Sequence, residues 1–152
     1  HSTEINADTP DPVIGLIDEW HNEDGTVTQA NKQDLGGTMR LGEQKCYLEK
    51  KSLSQQIYVN DTIYERHRHR YEMNNKYVEQ LTKSGMLMAG YSQNKHLVEI
   101  IEIPTHPWFI GCQFHPEFTS KPQTGHKLFN SFIAASLENK ANNCADKKVI
   151  NN

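Results

Sequence analysis

Three stretches predict a mixed α/β fold for this 152-residue sequence. Trp108-Phe109-Ile110-Gly111-Cys112 is a short apolar run bounded by Pro107 and Pro116, the pattern of a buried strand. Met86–Gly90 and Leu97–Ile103 are apolar runs joined through the polar turn Gln93-Asn94-Lys95, a hairpin pattern. Leu128, Phe129, Phe132, Ile133 and Leu137 recur at helical spacing and form the apolar stripe of a helix over residues 125–137.

The remaining elements follow in order. Residues 1–12 are polar, carry Pro10 and Pro12, and read as a loop. Val13–Trp20 is apolar and fits either a short strand or one to two turns of helix. Asn22-Glu23-Asp24-Gly25 is a turn, and residues 26–34 are polar. Leu35-Gly36-Gly37-Thr38-Met39-Arg40-Leu41-Gly42 packs three glycines and an arginine into eight residues. It reads either as a loop beside a site or as a glycine-rich connection into the next strand, Gln44–Glu49. Ser52 is placed to cap a helix over Leu53–Tyr58. Thr62–Met73 has strand-formers at its ends and alternates Arg and His in its middle. Tyr77–Ser84 reads as a helix stopped by Gly85. From Glu138 onward the tail is polar and is expected to fray.

Composition narrows the function classes. At 36% hydrophobic the chain is lean for its length, which implies polar loops or a partner surface. The net charge of −3, with acids and bases interleaved, excludes the clustered basic footprint of a nucleic-acid binder. No apolar run reaches the ~18 residues of a membrane span, and no secretory leader is visible. Cys46, Cys112 and Cys144 make no CxxC pair, which suggests neither a zinc site nor a disulfide framework and fits a reduced, cytoplasmic setting. The first residue is His1 rather than Met, and the expectation is a fragment or processed piece.

His115 is the strongest candidate for chemistry. It lies where the 108–112 strand run ends, the place where open α/β sheets collect functional side chains. It can exchange a proton near neutral pH, and Glu117 is close enough in sequence to orient the ring. A base and its orienter are two parts of a nucleophilic triad. A surface histidine followed by a turn glutamate is the alternative. Strand alternation turns Cys112 away from His115, and no Gly-x-Cys-x-Gly or Gly-x-Ser-x-Gly elbow occurs. The nucleophile is therefore expected outside this sequence. In Arg66-His67-Arg68-His69-Arg70, alternation puts the three arginines on one face and the histidines on the other. The arginines fit an anion or carboxylate clamp, or else a charged edge strand. The histidines are spaced to hold a metal, but no third ligand stands at a convincing spacing, and none is assigned.

Phe114-His115-Pro116-Glu117-Phe118 resembles the His-Pro-Glu signature of the class I, triad-type glutamine amidotransferases. Asp34–Gly42, Glu65–Glu72 and Gln113–Thr119 with Pro122 resemble, within them, the CTP synthase family. Ser2-Thr3-Glu4 fits as well. The resemblance implies a flavodoxin-like, doubly wound α/β amidotransferase domain, truncated at its N-terminus. Residues 1–140 would be the C-terminal portion of that domain and 141–152 a polar tail. It further implies His115 and Glu117 as the catalytic histidine and its glutamate. Glu4 and Arg70 would bind L-glutamine through its ammonium and its carboxylate. The whole enzyme would make CTP from UTP and ATP with ammonia released from glutamine. ATP, UTP and Mg²⁺ would belong to a synthetase domain not contained here, and the assembly would be a homotetramer. This stretch alone would carry no cofactor and would be inactive for want of the elbow cysteine. Another triad amidotransferase and a non-catalytic ligand-binding module are the alternatives.

Overall fold

The computed structural model describes residues 1–16, 39–92 and 96–149, with the backbone of 19–21 and 27–29 and side chains as far as residue 143. The predicted turns at 22–25 and 93–95, and the Leu35–Thr38 part of the glycine-rich stretch, lie outside the described residues.

Five antiparallel strands form the main sheet, in the order β5-β4-β7-β8-β9. They are β4 (Arg40–Leu48), β5 (Thr62–His69), β7 (Leu87–Ser92), β8 (Val98–Glu102) and β9 (Ile110–Cys112). Two small antiparallel ribbons accompany it: β1 (Ile14–Leu16) with β6 (Tyr71–Met73), and β2 (Glu19–His21) with β3 (Val27–Gln29). Val13–Trp20 thus resolves into strand segments at Ile14–Leu16 and from Glu19 onward. The helices are α1 (Leu53–Tyr58), α2 (Val78–Lys83) and α3 (Lys127–Val149). Among the described residues every pair of these strands is antiparallel, so none of them builds the parallel order of a doubly wound sheet.

Local chemistry sets the elements. Ser52 caps α1, its hydroxyl accepting from the Gln55 amide at 3.1 Å. Glu102, arriving from β8, takes the amides of Leu53 and Ser54 at 2.8 and 2.7 Å, so a carboxylate meets the positive end of α1. Gly85 adopts φ +95° and ends α2, as its place after the helix requires. β4 starts four residues before the expected Gln44, and Arg40–Gly42 are strand rather than loop, paired against Gly42↔His67 and its neighbours on β5. α3 runs far past Leu137, because no Gly or Pro follows Gly125 to stop it; the expected fraying tail is helical to Val149.

The pleat sends neighbouring residues to two apolar clusters. Ala89 and Ile100 join Cys46, Leu48, Tyr58, Ile63, Phe114 and Leu128, under α1 and α3. Met88 joins Met73 and Val98, with Val78 and Leu81 of α2 beside them. Gly90 lies where the pairing with β8 slips register, and a side-chain carbon there would come within 2.9 Å of Ile100. β9 ends at Cys112, and Phe114 is buried in the first cluster, so the chain leaves the sheet at Gln113 and delivers His115 to the rim.

Candidate functional site

His115 is held by its backbone and aimed by its side chain. Its amide donates to the Arg66 carbonyl at 2.8 Å, which ties the turn to β5. Pro116 then opens a 3₁₀ turn over Pro116–Phe118, a position where its fixed φ and missing N–H suit the start of a helical turn. That turn swings Glu117 back, and its Oε1 lies 2.7 Å from His115 Nδ1. A carboxylate only accepts, so Nδ1 carries the hydrogen and Nε2 keeps a lone pair for another partner. The contact with His115 holds the Glu117 carboxyl below the usual carboxylate range. Phe118 stacks on the imidazole, 4.7 Å between ring centres at 14°. The side chains of His115 and Glu117 are 35% and 56% exposed, so the dyad opens to solvent.

The other predicted residues divide. β5 stops at His69, and Arg70 stands half-buried in the bend before β6, while Arg66 and Arg68 are exposed on the edge strand. The expected three-arginine face is therefore not continuous: Arg66 and Arg68 form the charged edge, and Arg70 sits apart from them at the head of the β1–β6 ribbon. Glu4 is exposed in the N-terminal turn. Its segment reaches the same ribbon through the parallel bridge Ser2↔Ile14 and the bond from the Thr3 amide to the Ile14 carbonyl at 3.0 Å. Arg70 thus directly precedes the ribbon and the Glu4 segment is bridged to it, and His115 and Glu117 follow the last strand of the main sheet.

Neither described cysteine is a ready nucleophile. Cys46 is fully buried, and burial pushes its thiol well above the usual range. Cys112 packs against the same cluster, its Sγ 3.5 Å from the Phe114 carbonyl, and burial pushes it up to about 12. A thiol held neutral attacks poorly.

Behind the dyad lies a buried ionic network that spacing alone does not reveal. Arg40 reaches Glu72 at 3.0 Å and Glu99 at 2.7 Å, with Arg40 7% exposed and the carboxylates essentially enclosed. The close contact with Glu99 is an ion pair without hydrogen-bond alignment, and both Glu99 oxygens lack an aligned donor. Gln113 Nε2 donates to the second Glu72 oxygen at 3.3 Å. His67 Nδ1 and His69 Nε2 face each other at 2.8 Å, and His69 Nδ1 meets the Tyr71 carbonyl at 3.1 Å. Burial, with Arg40 nearby, drives these imidazoles down to about 3 and about 4, so both are neutral at physiological pH. Burial drives Glu72 up to about 7 despite Arg40, and raises Glu99 as well.

The third metal-type ligand missing from the sequence pattern is Glu99: with His67 and His69 it offers ligand atoms within 4.8 Å of one another. Arg40 already supplies the positive charge at that carboxylate, and His67 Nδ1 and both nitrogens of His69 are taken by each other and by the Tyr71 carbonyl, while His67 Nε2 is buried without a hydrogen-bond partner. A second buried hub is Glu65, which accepts from Tyr58 at 2.7 Å, contacts His126 at 2.9 Å and meets Thr119 at 3.4 Å. For Glu99 the available signal is a charged residue inside an apolar strand, Val98-Glu99-Ile100-Ile101-Glu102, since a buried charge is a paired one; Glu65, among Arg and His, carries no such signal.

A family model for class I glutamine amidotransferases matches residues 17–135. Among solved structures, the chain is similar to the glutaminase domain of Trypanosoma brucei CTPS with bound acivicin, at TM-score 0.74 and 34% identity, over 91% of this chain and 50% of that one. It spans about half the length of that structure. No described helix is long and apolar enough to cross a membrane. A family match over most of the chain, together with a histidine–glutamate dyad at the rim of a sheet, places it among the class I glutamine amidotransferases.

Proposed function

We propose that this sequence is the histidine–glutamate part of the glutaminase site of a CTP synthase. The observation that carries the reading is the His115 Nδ1–Glu117 Oε1 contact of 2.7 Å at a solvent-open strand end. The choice of CTP synthase over another triad amidotransferase is supported by the Gly36-Gly37-Thr38-Met39-Arg40 and Arg66–Arg70 stretches and by the 34% identity to a CTPS glutaminase domain. Acivicin, bound in that structure, is a glutamine analogue, which supports L-glutamine as the ligand here.

On this reading His115 Nε2 takes the proton of a cysteine thiol contributed from outside these 152 residues. The thiolate attacks the glutamine amide carbon. His115 then passes the proton to the departing nitrogen, ammonia leaves, and a thioester remains. A water molecule, giving its proton to His115, attacks the thioester, and the thiol is released with glutamate. Glu117 fixes the tautomer and stabilises the imidazolium formed in each half-reaction. Arg70 receives the substrate carboxylate and Glu4 its ammonium, pairings that suit a guanidinium fork and a carboxylate. ATP, UTP and magnesium would be handled by a synthetase domain, in a cytoplasmic homotetramer.

In the full-length protein, His115→Ala should abolish glutamine-dependent CTP formation and spare formation from added ammonia. Equal loss of both would overturn the assignment of His115 as the base. The isolated 152-residue chain should neither hydrolyse glutamine nor be labelled by an electrophilic glutamine analogue. Turnover with labelling at Cys46, Cys112 or Cys144 would overturn the external nucleophile.

A further inference from the structure

The glutamine-holding residues and the base belong to different sheets. Arg70 heads the β1–β6 ribbon, to which the Glu4 segment is bridged, whereas His115 follows β9 of the five-stranded sheet. No backbone ladder among the described strands joins ribbon to sheet. One residue, Arg70, joins β5 to β6, and the apolar contacts of Met73 with Met88 and Val98 pack the ribbon on the sheet, but apolar packing has no direction.

The Glu72 carboxylate spans the gap. Glu72 lies in β6, two residues after Arg70, and is 2% exposed. One oxygen accepts from Arg40 of β4 at 3.0 Å, and the other from Gln113 at 3.3 Å. Gln113 stands two residues before His115, and its own amide is laddered to the Glu99 carbonyl of β8 at 2.9 Å. We propose that Arg40, Glu72 and Gln113 form a positioning brace that sets the register between the glutamine-holding ribbon and the sheet bearing His115. The proposal rests on the functional reading above, with Gln113 as a positioning residue that touches no substrate. The charged and titratable groups facing the brace are Arg40 from β4, His69 from β5, whose Nδ1 is 3.3 Å from Glu72, and Glu99 from β8, which shares Arg40.

The test uses glutamine hydrolysis by the full-length protein, with thermal unfolding measured on every variant. Gln113→Leu keeps the bulk and removes the donor. Its kcat/KM should fall on the order of 10- to 100-fold, the scale of a small misplacement of reacting groups, with a melting temperature about 2–10 °C lower because the buried Glu72 oxygen loses its donor. Gln113→Glu adds a diagnostic readout. When both carboxylates are ionised they repel and the brace opens. As pH falls they share one proton, and an O–H donor replaces the lost N–H. The Gln113→Glu rate relative to wild type should therefore climb as pH is lowered, while the Gln113→Leu ratio stays flat. Gln113→Leu activity within about twofold of wild type would overturn the brace, as would losses in both variants that track melting temperature and ignore pH. His115→Ala run in parallel separates the two ideas: its retained hydrolysis would sink the functional reading itself, whereas its inactivity beside an unimpaired Gln113→Leu sinks only the brace.

Discussion

Replacing Arg40 with Met tests how much of the fold depends on one buried cation. Met keeps a long flexible side chain and removes the charge that faces Glu72 at 3.0 Å and Glu99 at 2.7 Å. Two enclosed carboxylates are then left without compensation. Removing one partner of a buried ion pair costs about 3–5 kcal/mol. For a domain of this size each kcal/mol lowers the melting temperature by about 2–4 °C, so Arg40→Met should melt about 6–20 °C below wild type near pH 8. The deficit should shrink toward about pH 5, for a reason that can be given a sign. Glu72, already raised to about 7, rises further without Arg40, and a carboxyl raised in the folded state favours folding once it is protonated. His67 and His69 lose a repelling neighbour, protonate more readily, and supply positive charge beside Glu99. Far-ultraviolet circular dichroism melts at the two pH values measure both effects. A loss under about 2 °C at the higher pH, or a deficit that stays constant with pH, would refute the argument.

Two further predictions concern the frame around the site. Glu102→Gln should cost on the order of 2 kcal/mol, because an amide offers one acceptor where the carboxylate serves the Leu53 and Ser54 amides, and α1 amides should exchange hydrogen faster. Gly90→Ala should cost about 1–3 kcal/mol through overpacking, since the added carbon meets Ile100 at 2.9 Å and Cys46 at 3.0 Å; a neutral result in denaturant unfolding would show that β8 yields there.

Local signals in the sequence were reliable wherever one residue type decides a local geometry. Ser52 announced α1, Gly85 ended α2, the paired apolar runs made the β7–β8 hairpin, and His115 with Glu117 met at the end of β9. Alternation correctly put His67 inside and Arg66 and Arg68 outside, but it carried Arg70 along with them, because nothing in Arg-His-Arg-His-Arg marks the bend after His69. Polarity past Leu137 does not mark fraying: α3 continues to Val149, and no helix breaker follows Gly125. Which charges pair in the ionic network is not legible, for a different reason. Arg40, Glu72, Glu99 and Gln113 are far apart in sequence, and only the β5-β4-β7-β8-β9 order and the lateral β1–β6 ribbon bring them together. The attachment of the Glu4 segment to the β1–β6 ribbon depends likewise on the Ser2↔Ile14 bridge, a backbone contact with no side-chain signature.

The amide of His115, bonded to Arg66, has a consequence for how the ring works. The imidazole is open to solvent, yet its Cα is anchored to β5, and Thr119 just beyond the 3₁₀ turn is tied through Glu65 to that same strand. The segment is thereby clamped at both ends to one support. What freedom the histidine retains is torsional, about its side-chain bonds, and Glu117 and the Phe118 ring restrict that too. The entropy of arresting the ring is thus lost when the domain folds, and little is left to lose each time a substrate arrives.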